Sequence, residues 1–135
     1  MSDVVATKSH TRVEVARVEG EDVVLALHDS AYAIRLRWAG DGSPSTGVVT
    51  GRIQVRALRL HGSSAGGRFI EPVAGAPRIV SGTVEAIDAG SATIALRSVV
   101  QMQVALERRE DLALCHIGGL VNFHVRSDGE FCPDT

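Results

Sequence analysis

The chain is poor in aromatic side chains. Three phenylalanines (Phe69, Phe123, Phe131), Tyr32 and Trp38 make up 4% of it. That scarcity leaves Val, Ile, Leu and Ala to fill any core, and it argues against recognising single-stranded nucleic acid through successive stacking platforms. Cysteine is almost as rare. Cys115 and Cys132 are the two in the chain, too few for a disulfide framework and in keeping with free thiols in a reducing compartment. No charge dominates: 14 basic against 16 acidic side chains leave a net charge of −2, so no overall field draws the chain to nucleic acid or to a membrane. No apolar run reaches the roughly 18–20 residues that span a bilayer. The opening "MSDVVATKSHTR" has no apolar core of the kind a signal peptide needs, so a cytoplasmic location is expected. Gly-x-Ser-x-Gly, G-x-x-x-x-G-K and G-x-G-x-x-G are missing, so no nucleophile elbow or phosphate loop is expected. The expectation is therefore a non-enzymatic protein with no catalytic residue, no metal site and no cofactor.

What the chain does have is 44% hydrophobic residues in 135, enough for the core of one domain. Their period is two. In "YAIRLRW", Tyr32, Ile34, Leu36 and Trp38 fall on one face and Arg35 and Arg37 on the other, as in a half-buried antiparallel strand. "VVTGRIQVRALRL" reads as one long strand. Its inward set passes from Ile53 and Val55 to Leu58 and Leu60, the parity change that a β-bulge near Ala57 produces. "PRIVSGTVEAI", "SATIALR", "VQMQVALE" and "LVNFHVR" continue the pattern, with "EGED", "GDGSPSTG", "DAGS" and "GG" as turns between strands. Only "ERREDLALCHI" reads as helical, over two or three turns at most.

An internal correspondence runs through this pattern. "VARVEGEDVVLAL" (15–27) aligns without a gap on "VEAIDAGSATIAL" (84–96). Val15, Val18, Leu25 and Leu27 then face Val84, Ile87, Ile94 and Leu96. With a one-residue shift, Tyr32, Ile34 and Leu36 face Met102, Val104 and Leu106. Both copies change apolar parity between their first two anchors, predicting a bulge at the same place in each.

The predicted fold is all-β: a six- to eight-stranded OB-like or Greek-key barrel with an internal pseudo-repeat and one short helix near 108–116. It forms one domain over 1–135, built from β-units at about 10–61 and 78–127 joined by 62–77. The order in the second unit is a bent strand containing Gly82, a hairpin, a third strand, a short helix and "HIGGLVNFHV". That order resembles OB-fold barrels over roughly 78–127. The "GTV" strand is also similar to the small molybdate-binding Mop or TOBE modules, although their Ser-Ala-Arg-Asn stretch is absent. "GGRFIEPVAGAPRIVSGTVEAID" resembles a segment of small planctomycete-like bacterial proteins to which no activity is attached.

Three constellations have chemical content. Arg35, Arg37, Arg52 and Arg56 occupy outward strand positions and are candidates for binding a polyanion. Cys115, His116, His124 and Cys132 are zinc-type ligands, but their C-H-x7-H-x7-C spacing does not match paired-ligand knuckles; Cys115 reads as a buried small hydrophobe. Between the two β-units, Gly62–Gly67 reads as a flexible joint. Arg68, Phe69, Ile70, Glu71 and Pro72 read as an extended apolar strap. It either covers an edge of its own barrel or docks on a partner. The leading functional expectation is a binding or assembly module, homo-oligomeric, with no membrane association. The alternatives are an OB-type binder of nucleic acid or oligosaccharide and a small-anion binder of the Mop kind.

Overall fold

The computed structural model describes residues 4–63, 66–127 and 129–134. It is all-β, 58% strand and 9% helix, and its eleven strands include a closed five-stranded barrel. In chain order the elements are a short helix α1 (Val4–Ser9), β1 (His10–Glu19), β2 (Asp22–Ala26), β3 (Ala33–Trp38), β4 (Gly47–Ser63), β5 (Phe69–Glu71), β6 (Ala74–Gly75), β7 (Ile79–Asp88), β8 (Thr93–Arg97), β9 (Gln101–Leu106), a 3-10 helix (Arg109–Leu114), β10 (Leu120–Val125) and β11 (Glu130–Pro133). The expected joint at 62–67 is shorter than its glycines suggest, because β4 runs on to Ser63; residues 64–65 of that joint lie outside the described residues.

The hydrogen-bond ladder returns on itself twice. β1 pairs with β2, β2 with β3, β3 in parallel with β11, β11 with the first part of β4, and β4 with β1. Likewise β7 pairs with β8, β8 with β9, β9 in parallel with the second part of β4, β4 with β10, and β10 with β7. Both circuits close in the same order and both contain β4. Each takes its closing parallel strand from the other half of the chain: β11 completes the circuit of β1–β3, and β4 completes the circuit of β7–β9. Closure removes most of the free edges that a sheet of this size would otherwise expose.

Register shifts lie between Val15 and Arg17 in β1 and between Val84 and Ala86 in β7, the two bulges that the parity changes predict. The hairpins that follow differ in length. Glu19 faces Asp22, but Asp88 faces Thr93 across a longer turn. Leu25 faces Val15 and Leu96 faces Val84, so Leu96, and not Ile94, stands in the place of Leu25. Ile34 likewise matches Met102, and Leu36 matches Val104. In these strands the ladder register differs by two residues from the ungapped sequence correspondence. A slip of two keeps every side chain on its face, so the apolar pattern could not reveal it.

The core follows the predicted alternation. Ile34 and Leu36 are buried with Val15, Leu25, Ile53 and Phe131 in one circuit; Val80, Val84, Ile94, Leu96, Met102, Val104 and Phe123 fill the other. Phe131 faces Ile53 and stacks on Trp38, with ring centroids 5.9 Å apart. α1, which the sequence pattern did not reveal, lays Val5 on Ala86 and Ala95; six residues are too few to show a helical period. The bulge in β4 falls one step later than expected. Ala57 is buried and Leu58 is 41% exposed, with burial resuming at Leu60. Opposite, Phe123 pairs with Leu60 and Val125 with Ala57. Beyond Ala57, β9 no longer pairs with β4, and the buried Asp111 of the 3-10 helix takes over: its carboxylate accepts a 2.8 Å hydrogen bond from the Leu60 amide.

Two outcomes test this frame. Asp111→Ala strands a buried amide, so urea unfolding should show a loss of about 1–3 kcal/mol. A Cβ at Gly51 would run into the Cys132 carbonyl and lie 2.8 Å from the Phe131 ring, whereas one at Gly62 meets nothing within 4 Å. Gly51→Ala should therefore cost about 1–3 kcal/mol by prying β11 off β4, while Gly62→Ala stays within about 0.5 kcal/mol of the parent in the same unfolding experiment.

Candidate anion-binding groove

Along the middle of β4, Ile53, Val55 and Ala57 point inward and are buried. Arg52, Gln54 and Arg56 therefore point outward, by the two-residue period of a strand. Gln54 lies beside Gln103 of β9 on one edge and Glu130 of β11 on the other. This is the line along which the two circuits meet. An open groove of about 450 Å³ runs here, lined by Arg37, Gln54, Val55, Arg56, Ala105, Arg126, Ser127 and Glu130.

Arg37 is ion-paired to Glu130. Arg56 and Arg126 share one carboxylate, Glu107, at 3.7 and 3.0 Å. Arg52 reaches the Gln103 amide oxygen at 3.5 Å. Two guanidiniums on a single carboxylate leave a local excess of positive charge. The pairs are solvent-exposed, and such pairs are worth about 0–1 kcal/mol each. The arginines can thus turn toward an incoming anion at small cost, and a guanidinium fork matches phosphate, sulfate or carboxylate oxygens.

The structure brings together Arg37 and Arg56 of the four arginines singled out from the sequence, with Arg52 on the same outer row of β4. Arg35 is directed elsewhere, within 3.8 Å of Glu19 and 4.0 Å of Asp22 near the β1–β2 turn. Arg126 was legible as an outward residue of "VNFHVR", but not as a partner of Arg56. Its place depends on the bend after β10, where its amide bonds to the Arg56 carbonyl at 2.8 Å.

The strap packs on its own chain. β5 pairs antiparallel with β7, Ile70 opposite Val80, and β6 adds to β3. Ile70 is buried, Phe69 half-buried, and Glu71 and Pro72 exposed; Arg68 donates to the Thr83 hydroxyl at 3.2 Å. His116 and His124 are both exposed. Among the described residues no group of three or more His, Cys, Asp or Glu side chains is placed to hold a metal ion, and no helix is long and apolar enough to cross a membrane.

Both thiols are shifted. Burial pushes Cys115 up, and the nearby Asp111 charge adds to it. Burial also pushes Cys132 up, but Arg52 and Arg37 pull it partly back. Native protein at pH 8 should therefore react slowly with iodoacetamide at Cys115 and faster at the half-buried Cys132, as read by mass spectrometry of the labelled peptides. Raised folded-state values mean that the unfolded chain loses these protons first, so stability falls as pH rises past the ordinary thiol value of about 9; Cys115→Ala should flatten that alkaline limb. No family model, curated protein or solved structure matches the chain.

Proposed function

We propose that this chain is a non-enzymatic binding module that takes an anionic ligand in the groove along β4. One observation carries the reading: Arg56 and Arg126, which line an open groove together with Arg37, converge on the single carboxylate of Glu107. The absence of an aromatic side chain from the groove lining favours recognition of phosphate, sulfate or carboxylate groups over stacked bases. This sets an acidic polymer or small polyanion ahead of OB-type readout of single-stranded nucleic acid. Homo-oligomeric assembly through Arg68–Pro72 draws less support, since the apolar anchor of that segment, Ile70, is spent on its own barrel. The matching bulges and the matching order of closure support the further reading that the two circuits are copies of one unit.

Heparin affinity chromatography tests the proposal, alongside thermal shifts with inorganic pyrophosphate, sulfate and molybdate. Retention should weaken with salt, and Arg56→Ala/Arg126→Ala should elute at lower salt than the parent. Arg35→Ala should elute earlier by a smaller margin. Equal elution of all three proteins, with no thermal shift for any anion, would sink the reading. A thermal shift with a small oxyanion but no heparin retention would assign the groove to a small anion.

A further inference from the structure

A second surface on this chain, away from the arginine groove, is built to accept a strand. The pairing pattern shows how. β7 pairs with β8 along Thr83–Asp88 only, so its first residues, Ile79–Ser81, would leave one edge open, and β5 fills it. β5 is held there by two loops: the Ile70 amide donates to the Tyr32 hydroxyl at 3.4 Å, and the Ser98 hydroxyl lies 3.0 Å from the Phe69 carbonyl and 2.6 Å from the Ser81 carbonyl.

β1 occupies the corresponding place in the other circuit. It pairs with β2 along Glu14–Glu19 only. Its first residues, His10–Val13, pair with β4 on one edge, and among the described residues no strand covers the other. An open cleft of about 680 Å³ lies along that edge, between Thr11–Glu14, the β2–β3 loop from Leu27 to Tyr32, and Val99–Gln101. These loops correspond to the ones that hold β5. By the register of β3 and β9, Ser30 stands in the place of Ser98, and Val100 in the place of Tyr32. Where Ser98 clasps β5, the Ser30 hydroxyl turns back onto the Leu27 carbonyl at 3.0 Å.

We propose that the uncovered edge of β1 at Thr11–Val13 receives an extended peptide of a partner protein as an added antiparallel strand, in the manner in which β5 sits on β7. Strand addition of this kind draws affinity from main-chain hydrogen bonds and specificity from alternate side chains. The inward positions, Thr11 and Val13, call for apolar residues in the peptide, since Val13 is buried and Thr11 half-buried on the face that turns toward the core. Between them the outward Arg12 is exposed and has no ion pair among the described residues, so it calls for an acidic residue. The occupant is thus an apolar–acidic–apolar segment. A second copy of this chain is a poor donor, because its own extended segment is already bound in cis.

The test uses two synthetic octapeptides and isotope-labelled full-length protein observed by NMR. Both peptides have the sequence of residues 67–74 with Arg68→Leu, which sets an apolar residue opposite Val13; the second also carries Phe69→Glu, which places a carboxylate opposite Arg12 in the β5 register. Amide shifts are expected at 11–14, 27–30 and 99–101, with the acidic peptide bound at least about fivefold more tightly. Arg12→Glu should reverse that preference, and Arg56→Ala/Arg126→Ala should leave both unchanged. The last comparison separates this surface from the anion groove. Shifts at Ile79–Ser81 or along Gln54–Arg56 instead, or indifference to Arg12→Glu, would overturn the proposal. So would concentration-dependent shifts of residues 11–14 in protein alone, which would mark a second copy as the occupant.

Discussion

The structure depends on β4 being a member of both circuits. A strand of 17 residues pairs with β1 and β11 over its first part and with β9 and β10 over its second. Each half of the chain is left one strand short of closure and is completed by the other half. Neither half can present a closed barrel alone, so the buried apolar side chains of both circuits join in one cluster. The bulge at Leu58–Arg59 lets β4 change its inward face, and the Asp111 carboxylate replaces the ladder partner that β9 stops providing.

The same sharing makes the groove. Where two circuits meet across one strand, the outward residues of β4 are flanked by β9 on one side and β11 on the other. Arg37 and Arg56 come from consecutive strands, and Arg126 comes from the loop after β10, far along the chain. No single circuit would assemble them. The acidic side chains that accompany them are too few and too exposed to hold them firmly.

The strap shows how the chain manages unequal strand lengths. β8 is shorter than β7 and β2 is shorter than β1, so each first strand has a stretch of edge that its hairpin partner does not reach. Ile70 and the hydrogen bonds of β5 cover that stretch on β7. The extended, apolar character of "RFIEPV" was plain from its residues. Its choice of β7 over a partner was not, because both destinations offer the same main-chain hydrogen bonds and the same apolar shelter.

The sequence by itself determined the fold class, the inward and outward faces, both first-strand bulges and the short helix after β9. All of these follow from local alternation, because a strand half-buried in a barrel must change face every residue. It placed the bulge of β4 within a residue or two and erred on Leu58, since Leu fits a pleated surface on either face. Only the tertiary structure decided the register of the second and third strands, because a slip of two residues preserves every face and is invisible to periodicity. It alone paired Arg56 with Arg126 and sent Arg35 to Glu19 and Asp22. It alone gave β4 to both circuits, because which distant strands share a ladder is settled by closing the barrel around its apolar interior and not by any local pattern in either strand.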